Sequence, residues 1–249
     1  MKYQEAQIYA KNKHLNKGSV YTKTKIFALI LLFVILISIF LSLTFRSRRV
    51  ILASQYLYGI TVGSYATESS ANYYANLCRA RGGAGGVYFD GKNYLLFVAV
   101  YSSKSDANIV TNNLLQKGES AYIFEWELKQ TKICFESGNK ILLEEICAVF
   151  WDSLSKILTL ALEYDRDSMS ISDVNEEITE LLEKTDDAIL TAEKLKGDST
   201  QDSFQEILGF LALQKTVLTQ IQKSVVSSVE LKIAYFDLLL LNVSLREKF

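Results

Sequence analysis

The chain has 249 residues, 27 Lys plus Arg against 28 Asp plus Glu, 49% hydrophobic residues, one His and no Pro. A net charge of −1 with no basic stripe in the folded part excludes a general nucleic-acid binder, which must neutralise many phosphates with clustered Lys and Arg. The one histidine, His14, lies in a Lys-rich N-terminal tail, so neither a His-based acid/base group nor a His-containing metal site is available further along. No nucleophile stands beside a base, and the expectation is a non-enzyme with no metal and no cofactor.

Residues 1–25 are polar and lysine-rich, and read as a cytoplasmic tail. Residues 26–45, IFALILLFVILISIFLSLTF, carry no charge, no Gly and no Pro. Twenty such residues at 1.5 Å each would cover about 30 Å, so the stretch predicts a single transmembrane helix and makes the membrane a partner. Close to the run, five lysines (Lys11, Lys13, Lys17, Lys23, Lys25) precede it and three arginines (Arg46, Arg48, Arg49) follow it. That balance favours a cytoplasmic N-terminus, which puts the C-terminal domains outside the cytoplasm. Residues 46–55 read as a linker.

From 56 to 128 the pattern alternates between strand-like and helix-like runs. Residues 56–65, YLYGITVGSY, are a strand rich in aromatic and β-branched side chains. Thr67 or Ser69 can cap a helix that carries Ala71, Tyr74, Ala75 and Cys78 on one face and stops at Arg81-Gly82-Gly83. Residues 86–90 form a second strand, Asp90-Gly91 a turn, and 94–101 a third strand. Residues 102–106 open a second helix bearing Ala107, Val110, Leu114 and Leu115, and a final strand follows Gly118. The order strand, helix, strand, strand, helix, strand predicts a ferredoxin-like βαββαβ unit, a four-stranded antiparallel sheet with both helices on one face, and so an α+β fold class. The glycines at 82, 83, 85 and 86 follow a helix and precede a strand. A phosphate loop needs the opposite order, so they read as a helix stop and connection.

These residues resemble the SPOR domain, the sporulation-related repeat module of bacterial division and cell-wall proteins. The resemblance is carried by Val62-Gly63-Ser64-Tyr65, like the family's V-G-S-F, by the aromatic-led strand at 94–101, by Asp106-Ala107 at the start of the second helix, and by Gly118 with Ala121-Tyr122-Ile123. It implies a sheet whose free face binds peptidoglycan glycan strands lacking stem peptides, in the bacterial cell envelope, during division or sporulation. Candidate glycan contacts are then Thr61, Tyr65, Tyr88, Phe97 and Trp126. The sequence departs from the family at Thr61, Ala99 and Val100. If Ile60 and Val62 face the helices, Leu96, Val98 and Val100 do too, which leaves apolar Leu95 and Phe97 on the free face. An apolar face suits sugar poorly and rarely stays exposed. The alternative is therefore a non-catalytic interaction scaffold binding other envelope proteins and no glycan.

From 139 to 249 the chain reads as an all-α hairpin or bundle. Residues 140–164 are apolar on more than one face, as a helix buried among neighbours is. Residues 170–196 repeat Ile171, Val174, Ile178, Leu181, Thr185, Ala188, Ala192 and Leu195 at steps of three and four. Ile178 and Leu181 are candidates for an interaction surface with Leu95 and Phe97, and the helices are candidates for self-association. The acidic cluster Glu176, Glu177, Glu180 and Glu183 reads as a solvated helix face. Residues 201–247 form one long helix or two joined near 224–228. Cys78, Cys134 and Cys147 read as small apolar core residues; a Cys134–Cys147 bridge is conceivable if this region lies outside the cytoplasm.

Overall fold

The computed structural model describes residues 31–38, 48–135, 138–197, 202–224 and 227–249. The chain divides into two compact units, residues 1–47 and 48–249.

In the first unit, residues 31–38 are helical (α1), and their large side chains are exposed. Among the described residues no helix is long and apolar enough to cross a membrane. The rest of the 26–45 run and the tail at 1–25 lie outside the described residues. This corrects the expected single transmembrane helix. The single-pass placement, cytoplasmic N-terminus and extracytoplasmic C-terminal domains go with it, because they rested on that span.

The second unit opens with β1 (Arg48–Leu52), which falls inside the stretch read as linker, and continues with β2 (Gln55–Tyr65), α2 (Glu68–Ala80), β3 (Gly86–Phe89), β4 (Tyr94–Tyr101), α3 (Lys104–Gln116), β5 (Tyr122–Leu128) and β6 (Thr131–Phe135). Strands β2 to β5 make one antiparallel sheet in the order β3-β4-β2-β5, with the first and last strands of the βαββαβ run side by side. Thr67 caps α2 by accepting from the Ser70 amide, and Ser103 caps α3 by accepting from the Asp106 amide. Asp90 Oδ1 accepts from the amides of Lys92 and Asn93 at 2.8 and 2.7 Å, and Gly91 takes a φ of 94°, which closes the turn between β3 and β4.

A second, two-stranded sheet pairs β1 with β6, from Arg48 opposite Phe135 to Leu52 opposite Thr131. In β6 Thr131, Ile133 and Phe135 are buried while Lys132 and Cys134 are exposed, the period-two pattern of a half-buried strand.

Four helices follow: α4 (Lys140–Asp165), α5 (Ile171–Lys196), α6 (Asp202–Ser224) and α7 (Ser228–Lys248). Asn139 caps α4, while Ser170 with Asp173 and Ser227 with Glu230 form capping boxes on α5 and α7. The sequence left 201–247 open between one helix and two; α6 and α7 are separate, with Ser227 starting the second. Gln214 on α6 is buried and donates through Nε2 to Ser153 Oγ on α4 at 3.0 Å and to Thr185 Oγ1 on α5 at 3.1 Å. A polar side chain at the centre of an apolar bundle is tolerated because it finds these partners.

Two apolar clusters hold the unit together. One joins Leu57, Leu95, Phe97, Val100, Trp126 and Leu128 of the large sheet to α4, α5, α6 and α7. The other joins Val50, Ile133 and Phe135 of the small sheet to α4, α5, α6 and Leu245 of α7. The large sheet is thus covered twice, by α2 and α3 on one face and by the helical bundle on the other. Arg246 of α7 fastens the far edge, with Nη1 donating to the carbonyls of Ala53 at 2.9 Å and Lys129 at 2.8 Å. No disulfide joins Cys78, Cys134 and Cys147; Cys134 is exposed and Cys147 buried.

Candidate functional site: the second face of the sheet

The face of the large sheet that turns away from α2 and α3 is where recognition was expected. Its strands carry an aromatic cluster. Phe97 of β4 stacks on Trp126 of β5 with centroids 4.6 Å apart, and Phe124 meets Trp126 at 4.9 Å and Phe97 at 5.7 Å. Tyr88 of β3 makes an edge contact with Trp126 at 5.2 Å. Gly59, in the middle of β2, makes room for them: a Cβ there would lie 2.5 Å from the Phe97 ring and 3.0 Å from Trp126. Glycine inside a strand marks such close approach.

α7 closes this cluster from above. Phe236 stands 5.6 Å from Phe97 and 6.2 Å from Trp126. It presses on the sheet so closely that a Cβ at Gly86 would lie 2.5 Å from its ring. Phe97 is 0% exposed and Trp126 6%.

The strand register explains part of the difference from the sequence reading. Between β2 and β4, Ile60 pairs with Ala99 but Thr61 pairs with Phe97, which leaves Val98 bulged; Gly63 then pairs with Leu96, which leaves Val62 unpaired. A bulge inserts one residue and switches the side-chain alternation beyond it. Val100 therefore joins Leu95 and Phe97 in the cluster beneath the helices, where strict alternation put it with Leu96 and Val98.

The five residues expected to contact glycan do not form one open surface. Phe97 and Trp126 are core residues under α7, Thr61 is 0% exposed beside them in register with Phe97, and Tyr88 packs partly buried at the rim of the same cluster. Tyr65 belongs to the opposite face, stacked on Tyr74 of α2 at 4.8 Å, and its hydroxyl is pushed up by burial, with Tyr74 and Cys78 adding to the shift. The four residues expected to form an interaction surface are also inside. Leu95 and Phe97 face the bundle, and Ile178 and Leu181 of α5 are buried in the same cluster. The residues that sequence reasoning missed are Phe124, Phe236 and Gly59. The mid-strand glycine was a signal for close approach, and the apolar breadth of 233–243 a signal that this helix needed cover.

Polar atoms on this face are orphaned. Thr61 Oγ1 and Trp126 Nε1 are buried without a hydrogen-bond partner among the described residues. Charged groups lie elsewhere: Glu177 pairs with Lys156 and Glu180 with Lys184, each at 2.6 Å, on the outer surface of the bundle. Among the described residues no group of three or more His, Cys, Asp and Glu is placed to hold a metal.

No protein-family model and no curated protein matches the chain. Among solved structures it is similar to the solution structure of the peptidoglycan binding domain of the B. subtilis cell wall lytic enzyme CwlC, at 21% identity. The match covers 30% of this chain and 95% of that one, with a TM-score of 0.26.

Proposed function

We propose that the chain is a non-catalytic interaction scaffold, in which a split βαββαβ sheet has become the floor of a helical bundle and partner proteins meet the outer surfaces. The observation that carries this reading is Phe97, fully buried between Trp126 and Phe236. Exposing an apolar side chain of this size costs about 1.5–3 kcal/mol, so baring Leu57, Leu95, Phe97 and Trp126 alone costs on the order of 6–12 kcal/mol. Whole domains of this size are stable by roughly 5–15 kcal/mol. A sugar chain reaching this face would therefore have to undo most of what holds the layers together.

A second reading is favoured by orphaned atoms on this face. Thr61 Oγ1 and Trp126 Nε1 are a hydroxyl and an indole N–H that sugar hydroxyls would satisfy. Under it the face binds denuded peptidoglycan strands, as the resemblance of residues 56–128 implies, after the bundle swings aside. A pull-down of the full chain on amidase-treated sacculi separates the two. The scaffold reading expects the chain in the unbound fraction; saturable retention that is lost in Trp126→Ala would overturn it and support the second.

A further inference from the structure

Between the edge of the large sheet and the bundle lies a cavity of about 220 Å³. Its walls are apolar: Val98, the residue bulged out of β4, with Val110 and Leu114 of α3 on one side, and Leu158, Leu162 and Phe236 of the bundle on the other. An apolar protein cavity of about 150 Å³ takes up benzene, so this one has room for a larger body, about eight saturated carbons at protein packing density.

The charged groups gather at one end. Lys232 Nζ pairs with Asp165 Oδ2 at 2.8 Å and donates to the Gly82 carbonyl at 3.2 Å. An ammonium has three donors, so one remains, and the Asp165 carboxylate keeps lone pairs to spare. Arg81, also at this end, has Glu119 as its partner at 3.8 Å. Positive and negative groups thus balance. A carboxylate entering beside Lys232 would meet Asp165, and an amine beside Asp165 would meet Lys232. A neutral group that both donates and accepts satisfies both.

We infer that this cavity at the seam of sheet and bundle binds a small uncharged amphiphile, with an apolar body of about eight carbons among Val98, Leu114 and Leu158 and an amide or alcohol head beside the paired Lys232 and Asp165. The cavity shares Phe236 with the cover of the aromatic floor and rests on the scaffold reading, in which the bundle stays on the sheet; the pull-down on sacculi tests that reading separately.

The test is titration of methyl-labelled full chain with octanamide, octanoate and octylammonium, followed by NMR. Octanamide should shift the methyls of Val98, Leu114 and Leu158 saturably, and the two charged analogues should bind at least ten-fold more weakly. Val110→Phe and Leu162→Phe fill the cavity from opposite walls, and whichever keeps its unfolding midpoint should lose octanamide binding by ten-fold or more. Lys232→Met should narrow the gap between octanamide and octylammonium. Absence of saturable shifts, equal affinity for the three probes, or undiminished binding in a folded filled variant would overturn the inference.

Discussion

The rings of Phe97 and Phe236 lie 5.6 Å apart, one from β4 and the other from α7, residues far apart in the chain that meet at the centre of the sheet's second face. Phe236 also covers Gly86 and faces Trp126. Phe236→Ala should therefore cost about 3–5 kcal/mol, the range for removing a buried aromatic whose cavity cannot collapse. Tyr73→Ala, at a side chain 61% exposed on α2, should change stability by less than about 0.5 kcal/mol. Urea unfolding of both variants checks the contrast.

Gly59 tests the same packing from below. Gly59→Val places branched carbon where Phe97 and Trp126 already stand, at 2.5 and 3.0 Å from the position of its Cβ. We expect a loss of about 1–3 kcal/mol or more from overpacking. Pairing Gly59→Ala with Phe97→Leu should recover part of the loss, because the smaller side chain vacates the contested space. The two changes should thus be non-additive in a double-mutant cycle.

Gln214 binds three helices through one amide. Gln214→Ala removes its bonds to Ser153 and Thr185 and leaves a void, for an expected cost of about 2–4 kcal/mol. Replacing all three side chains with apolar residues of matched volume should cost much less, since no buried polar atom is then left without a partner. Thermal or urea unfolding of the single and triple variants measures the difference.

The thiols separate by burial. The Cys147 thiol is pushed from near 9.0 up to about 12, first by burial and then by the nearby Glu144. Because the folded state holds this proton more tightly than the unfolded one, its contribution to stability is whole below about pH 9. It is lost as pH rises from there toward about 12. Alkylation of the native chain at pH 8.5 should label exposed Cys134 first, half-buried Cys78 more slowly, and Cys147 only with unfolding. Mass spectrometry of a labelling time course reads the order.

Local features were the most legible part of this sequence. Thr67, Ser103 and Ser170 announce helix starts because each cap acts within three residues, and Asp90-Gly91 announces a turn for the same reason. Ser227 and Glu230 start α7 by the same local chemistry, although the sequence reading left 201–247 open between one helix and two. What escaped depends on residues far apart in the chain. β1 becomes a strand only because β6, about eighty residues later, offers a partner. The bulge at Val98 shifts every side chain beyond it, and no local pattern around 94–101 reveals it. The 26–45 run shows the opposite error. An apolar stretch of sufficient length states a composition, whereas among the described residues no helix is long and apolar enough to cross a membrane. At the candidate site, the apolar character of Leu95 and Phe97 was a sound warning that the face needed cover, but the residue that supplies it, Phe236, could be identified only from the packing.

The central claim is that the chain's own helices close the sheet's second face, and Trp126 reports on it directly. The protein has two tryptophans, so Trp151→Phe leaves Trp126 as the single emitter. We predict blue-shifted emission from this variant of the full chain, acrylamide quenching several-fold weaker than for free tryptophan, and no change when denuded peptidoglycan is added. Red-shifted emission quenched as readily as the free amino acid, in a chain that is otherwise folded, would contradict the account.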